Sequence, residues 1–201
     1  MKSRNFFVSN SSSSSFIIGV NKIPETPEEA ADVWFGDKQD SVSISVLRGI
    51  FEGLKEFPLD LEKLKESAEN KPWEEISGYD EDNVLSELAS NFYYSEEYGS
   101  GNGFFYSSRP TPMKQWADNE ITKRKIKQDD YSAKYKVEKE WFDLPEVRVR
   151  FVKIVDEFIS EFKEYKLFMV GEFGDDTELG REIEHDFNWE KYFTYRQFSH
   201  H

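Results

Sequence analysis

The chain has 201 residues, a formal net charge of −14, 37% apolar and 16% aromatic residues, and no cysteine. That length suits one domain with a sizeable core. The negative charge argues against a general affinity for DNA, RNA or anionic membrane surfaces, because such affinity comes from Lys and Arg neutralising phosphates. The lack of cysteine excludes a disulfide framework and thiolate metal sites.

In chain order, the opening reads as strand, serine loop, strand: Phe6-Phe7-Val8, then Ser9 and Asn10 followed by Ser11, Ser12, Ser13, Ser14 and Ser15, then Phe16 to Val20. Lys2 and Arg4 before an apolar run suggest a signal peptide, but the serines break the apolar region too early. With no segment long enough to span a membrane, the sequence predicts a cytoplasmic protein. Thr26-Pro27-Glu28-Glu29 is a helix start, with a capping threonine, a proline suited to the first turn and acids at the positive end of the dipole. That helix is predicted to bury Ala30, Val33 and Trp34 and to stop near Gly36. Residues 46–57 have helical spacing at Leu47, Ile50, Phe51 and Leu54, interrupted by Gly49 and Gly53.

Pro58 ends that element, and further helices are predicted over 60–69, around Pro72 to Ile76, and from a cap at Asp80 to Asp82 through Val84, Leu85, Leu88 and Phe92. Gly99 to Gly103 reads as a surface loop, since it lacks the Lys-Ser/Thr ending of a phosphate-binding loop. The basic run Lys123 to Lys127, followed by Tyr131, Tyr135, Trp141 and Phe142, has the ingredients of a single-stranded nucleic-acid groove. Interleaved Asp129, Asp130, Glu138 and Glu140 favour a solvated helix face instead. A main packing helix opens at Leu144-Pro145, carrying Val149, Val152, Val155, Phe158, Ile159 and Phe162. Lys166 to Phe173 reads as a buried strand, Thr177 to His185 as a short helix and Phe193 to Phe198 as a final strand. The predicted fold is a single α+β domain, with a small sheet from the N-terminal and C-terminal strands covered by helices from the middle of the chain.

Phe7-Val8-Ser9-Asn10-Ser11 through Phe16-Ile17-Ile18 resembles the opening of many uncharacterised phage and bacterial proteins. The tail is similar to one subset of them, in which an apolar strand precedes an acidic turn, a Leu-Gly, a Glu-His and a terminal Ser-His-His. Here these are Phe168 to Phe173, Asp175-Asp176, Leu179-Gly180, Glu184-His185 and Ser199-His200-His201. The resemblance covers both ends, implies a phage or mobile-element origin, and carries no catalytic residue across.

Two clusters have chemical potential. The three histidines, His185, His200 and His201, all fall near the C-terminal end with Asp175 and Glu184, and imidazole with carboxylate suits a divalent metal. No ligand spacing accompanies them, so structural or capping roles compete with metal binding. The loop from Ser9 to Ser15 offers many hydroxyl and N–H groups, for a ligand or partner, for phosphorylation, or for bonding its own backbone. A serine nucleophile needs an activating base within reach. From the sequence the expected function is a non-enzymatic, host-modulating phage or mobile-element accessory factor. It would bind, through an acidic surface, a host or viral protein with a basic surface, and need no cofactor. The alternative is a metal-dependent hydrolase or nucleotide-acting enzyme using the terminal His/Asp/Glu cluster.

Overall fold

A computed structural model describes residues 13–77, 84–98, 111–174 and 176–199. The expected strand at Phe6 to Val8, the cap at Asp80 to Asp82, the glycine-rich loop and the terminal histidine pair lie outside the described residues. The chain divides into two compact units, one formed by residues 1–60 and 159–201 and the other by 61–158. Among the described residues no helix is long and apolar enough to cross a membrane.

The first unit is α+β. Its antiparallel sheet contains β1 (Ser13–Val20), β2 (Lys55–Glu56), β3 (Leu167–Gly174) and β4 (Thr194–Ser199) in the order β2-β3-β1-β4. Strands from the two ends of the sequence are thus direct neighbours. In the register, Phe16 faces Gly171 and Gln197, while Ile18 faces Met169 and Tyr195. Because side chains alternate along a strand, one face gathers Phe16, Ile18, Val20, Met169 and Phe173 into the unit's core. Trp189 stacks on Phe16 with ring centroids 4.5 Å apart. Full burial of an aromatic such as Phe16 contributes about 1.5–3 kcal/mol. The opposite face carries Ile17, Phe168, Val170 and Phe198, all buried, with Phe162 against Phe168.

The helices on the core face follow from local signals. α1 (Pro27–Ala30) is capped by Thr26, whose hydroxyl accepts the Glu29 N–H. The chain continues into a π-helical turn, Ala31–Phe35, and stops at Gly36, where φ is +49° and only glycine is unstrained. The wider π turn advances the helix face by one residue. Trp34 and Phe35 therefore point inward, and Val33, predicted to be buried, is 40% exposed. α2 (Ile44–Gly53) is capped by Ser43 and is shorter than the helix expected over 46–57. Leu54 turns extended, and Lys55 and Glu56 pair with Val170 and Met169 of β3. The gain of ladder hydrogen bonds on the sheet edge, extended by Phe57 N–H donating to Phe168 at 2.9 Å, outweighs continuing a helix already weakened by two glycines.

The second unit is helical: α3 (Leu61–Asn70), α4 (Trp73–Ile76), α5 (Val84–Tyr98), α6 (Pro112–Arg124), α7 (Tyr131–Phe142) and α8 (Pro145–Phe162), whose last turn belongs to the first unit. Its centre is aromatic: Trp73 stacks on Phe142 at 4.3 Å and meets Phe151 edge-on at 5.1 Å. On α8 the inward stripe is Val147, Phe151, Val155 and Phe158, at steps of three and four. Val149 lies off that stripe and is 69% exposed.

Candidate functional site

β1 begins inside the serine run. Ser13, Ser14 and Ser15 pair with Gly174, Phe173 and Glu172 of β3, and Ser14 and Ser15 also pair with Ser199 and Phe198 of β4. The loop expected over Ser9 to Ser15 is therefore strand from Ser13 onward; Ser9, Asn10, Ser11 and Ser12 lie outside the described residues. Hydroxyl side chains take a strand position here because their neighbours satisfy them. Ser14 and Ser15 are fully buried.

Ser14 joins the two ends of the chain chemically. Its hydroxyl donates to Glu184 Oε1 at 2.6 Å and accepts the Gln197 Nε2 amide at 3.0 Å. The first distance is that of a hydroxyl bonded to a carboxylate. Gln197 sits next to Ser14 on the same face because its strand neighbour in the register is Phe16.

Glu184 reaches this position through the second π-helical turn of the unit. α9 (Glu178–Arg181) starts at Thr177, whose hydroxyl accepts the Gly180 N–H. A π turn, Glu182–Asp186, follows it, so the short helix expected over Thr177 to His185 is present as two joined pieces. As at Trp34 and Phe35, the wide turn sends two successive residues inward, here Ile183 and Glu184. The Ile183 carbonyl accepts Trp189 Nε1 at 2.9 Å. The Glu184 side chain has no exposed surface, and among the described residues its Oε2 has no hydrogen-bond partner. His185, on the outer side of the turn and 47% exposed, places Nε2 3.6 Å from that oxygen. Of the metal set expected from the sequence, Glu184 and His185 therefore stand together. Asp175, His200 and His201 lie outside the described residues. Among the described residues no group of three His, Asp or Glu could hold a metal ion.

A second feature lies between α2, the end of β3 and α9. A cleft of about 400 Å³ is lined by Gly49 and Gly53, by Phe173, Leu179 and Ile183, and by Glu172 and Asp176. Gly49 and Gly53 stand one turn apart on the same face of α2. A Cβ at Gly53 would sit 2.5 Å from Phe173 Cε1, and one at Gly180 would sit 2.1 Å from the Gly174 carbonyl oxygen. Glycine is thus required at both positions for these elements to approach. Glu178 and Glu182, beside the lining residues in sequence, are exposed. Elsewhere in the unit, burial, and secondarily the charge of Glu190, push the Tyr195 phenol above its ordinary range.

Sequence reasoning missed Gln197, Glu172 and the close approach that Gly49 and Gly53 allow. The spacing of Gly49 and Gly53 was the available signal, since two glycines at i and i+4 mark a helix face made for close approach. In the basic run, the two cations on α6 are paired: Arg124 with Glu120 at 3.0 Å and Glu140 at 2.7 Å, and Lys123 with Glu120 at 3.0 Å. Comparison with protein-family models, with curated proteins and with solved structures finds no match to the chain.

Proposed function

We propose that the protein is a non-enzymatic accessory factor of phage or mobile-element origin that binds the basic surface of a host or viral protein. The cleft carries this reading. Its apolar lining of Phe173, Leu179 and Ile183 suits the aliphatic stem of a lysine or arginine, and Glu172 and Asp176, with Glu178 close behind in sequence, suit the cationic head. Leu179 is 36% exposed at its edge, leaving apolar surface for a partner to cover. On a chain of net charge −14, approach of a basic partner is accelerated at low ionic strength.

The test is capture from bacterial lysate at low and high salt with the wild type and with Asp176→Lys/Glu178→Lys. The expected result is a partner retained at low salt, released at high salt and lost with the charge-reversed variant. Retention of the same partner by that variant, or no salt-sensitive partner at all, contradicts the reading.

The enzymatic alternative has one observation in its favour, the bare Glu184 oxygen beside an imidazole. Ser14 does not add a nucleophile to it. The hydroxyl is fully buried and its proton is directed at Glu184, whereas serine attack needs an accessible oxygen with a base positioned to take that proton.

A further inference from the structure

We infer that the outer face of α7, with the turn that leads into it, binds single-stranded nucleic acid. The inference stands apart from the cleft, which belongs to the sheet-containing unit, whereas α7 belongs to the helical one. It begins with two exposed rings. Tyr131 is 77% and Tyr135 46% exposed, one helical turn apart, while Val137 and Trp141 on the other side of α7 are buried. Each ring has a cation beside it: Lys134 Nζ lies 5.5 Å from the centre of the Tyr131 ring, and Lys139 Nζ 4.8 Å from that of Tyr135. A π surface held next to an ammonium, twice over, supplies both components of a sequence-tolerant single-strand site, in which rings stack bases and cations follow the phosphates.

The local charge has the required sign. Residues 123–139 hold seven Lys and Arg against three Asp and Glu, on a chain whose net charge is −14. Two of the acids that make a solvated face the plain reading of this stretch are engaged elsewhere. Asp130 caps α7 by accepting the Ala133 N–H at 3.0 Å, and Glu140 pairs with Arg124 at 2.7 Å. Lys125, Lys127 and Lys136 are exposed and, among the described residues, form no ion pair. These are cations left for the phosphates of a strand to meet.

Lys125 adds a backbone observation. It closes α6 at φ +57° and ψ +38°, the one non-glycine residue with positive φ among the described residues. Glycine is the unstrained residue at such a helix end. A lysine there holds its charge at the tip of the α6–α7 hairpin against the preference of the backbone, and strain of this kind is retained where a side chain has a task. The platform behind is braced, because the Arg124–Glu140 pair ties α6 to α7 and the Trp116 and Trp141 rings meet with centres 5.6 Å apart. An acidic protein segment would use the lysines and leave the tyrosine faces without a role, which favours a polyanion that also carries flat bases.

The test is fluorescence anisotropy of short labelled oligo(dT) and oligo(U) titrated with the full chain over a range of salt, the two sugars separating a DNA from an RNA target. Saturable binding at low salt that weakens as salt rises is expected. Tyr131→Ala and Tyr135→Ala should each lose at least about fivefold in affinity, whereas Tyr131→Phe, which keeps the ring, should bind like wild type. Lys125→Gly should make the plot of log affinity against log salt shallower by about 0.7, one phosphate contact. Its melting temperature should be unchanged or raised, which separates a lost contact from a lost fold. No binding of either oligonucleotide at low salt, or unchanged affinity in Tyr131→Ala/Tyr135→Ala, overturns the assignment. Full competition by poly-glutamate also overturns it, since the face would then be a docking surface for an acidic protein.

Discussion

At the scale of residues, Ser14 matters most. Its hydroxyl donates to Glu184 Oε1 and accepts from Gln197, and it sits where β1, β4 and the second π turn meet. Replacing it with alanine leaves a buried carboxylate and a half-buried amide without their shared partner, which costs about 1–3 kcal/mol. Urea unfolding of Ser14→Ala should show that loss. The double variant Ser14→Ala/Glu184→Ala should show non-additivity, because each change alone removes the same bond. A loss under about 0.5 kcal/mol, the size of an ordinary surface substitution, would contradict the buried network. The sequence displayed the serines and the Glu184-His185 pair as unusual features, but not which serine meets which acid. That pairing depends on a strand register and on a π turn, and neither leaves a periodic signal in the chain.

At the scale of elements, the legible parts were those with strong local chemistry. Thr26-Pro27-Glu28-Glu29 capped α1 as expected, and the apolar run of β3 became a central strand. The misread parts were those in which tertiary contacts override pattern. Val33 looked like a core residue on a 3.6-residue period and lies outside because the turn there is wider. Leu54 to Phe57 continued a helical pattern and instead supplies the edge strand β2. Gly53 looked like a defect in α2 and is where the helix accommodates the Phe173 ring. In an unpacked helix interior, Gly→Ala stabilises by about 0.5–1 kcal/mol. Here the new methyl would fall 2.5 Å from Phe173 Cε1, so Gly53→Ala should destabilise by about 1–3 kcal/mol through overpacking. Thermal or urea unfolding gives the sign directly, and a stabilised variant would show that α2 does not pack on β3 as described.

At the scale of the whole molecule, the chain folds its two ends into one sheet. β1 lies between β3 and β4, so it supplies ladder hydrogen bonds to both and core side chains to both faces. Removing a central strand leaves two edges unpaired and the core around Phe16, Ile17 and Ile18 open, which the remaining contacts of that unit cannot offset. The α+β class and the partnership of the termini were legible because apolar runs at both ends had the length and residue types of strands. The division into two compact units was not, since no Pro-, Gly- or Ser-rich stretch marks the boundary inside α8. Both candidate sites sit on the sheet unit: the Ser14, Glu184 and His185 cluster through β1 and the second π turn, and the acidic cleft through β3, α2 and α9.

That the N-terminal strand organises this unit, and with it both sites, is tested most directly by deleting residues 1–20 and following circular dichroism and thermal melting. The structure predicts loss of the cooperative transition of the sheet-containing unit, together with loss of its strand signal. A truncated protein with an unchanged spectrum and an equally cooperative melt would contradict it.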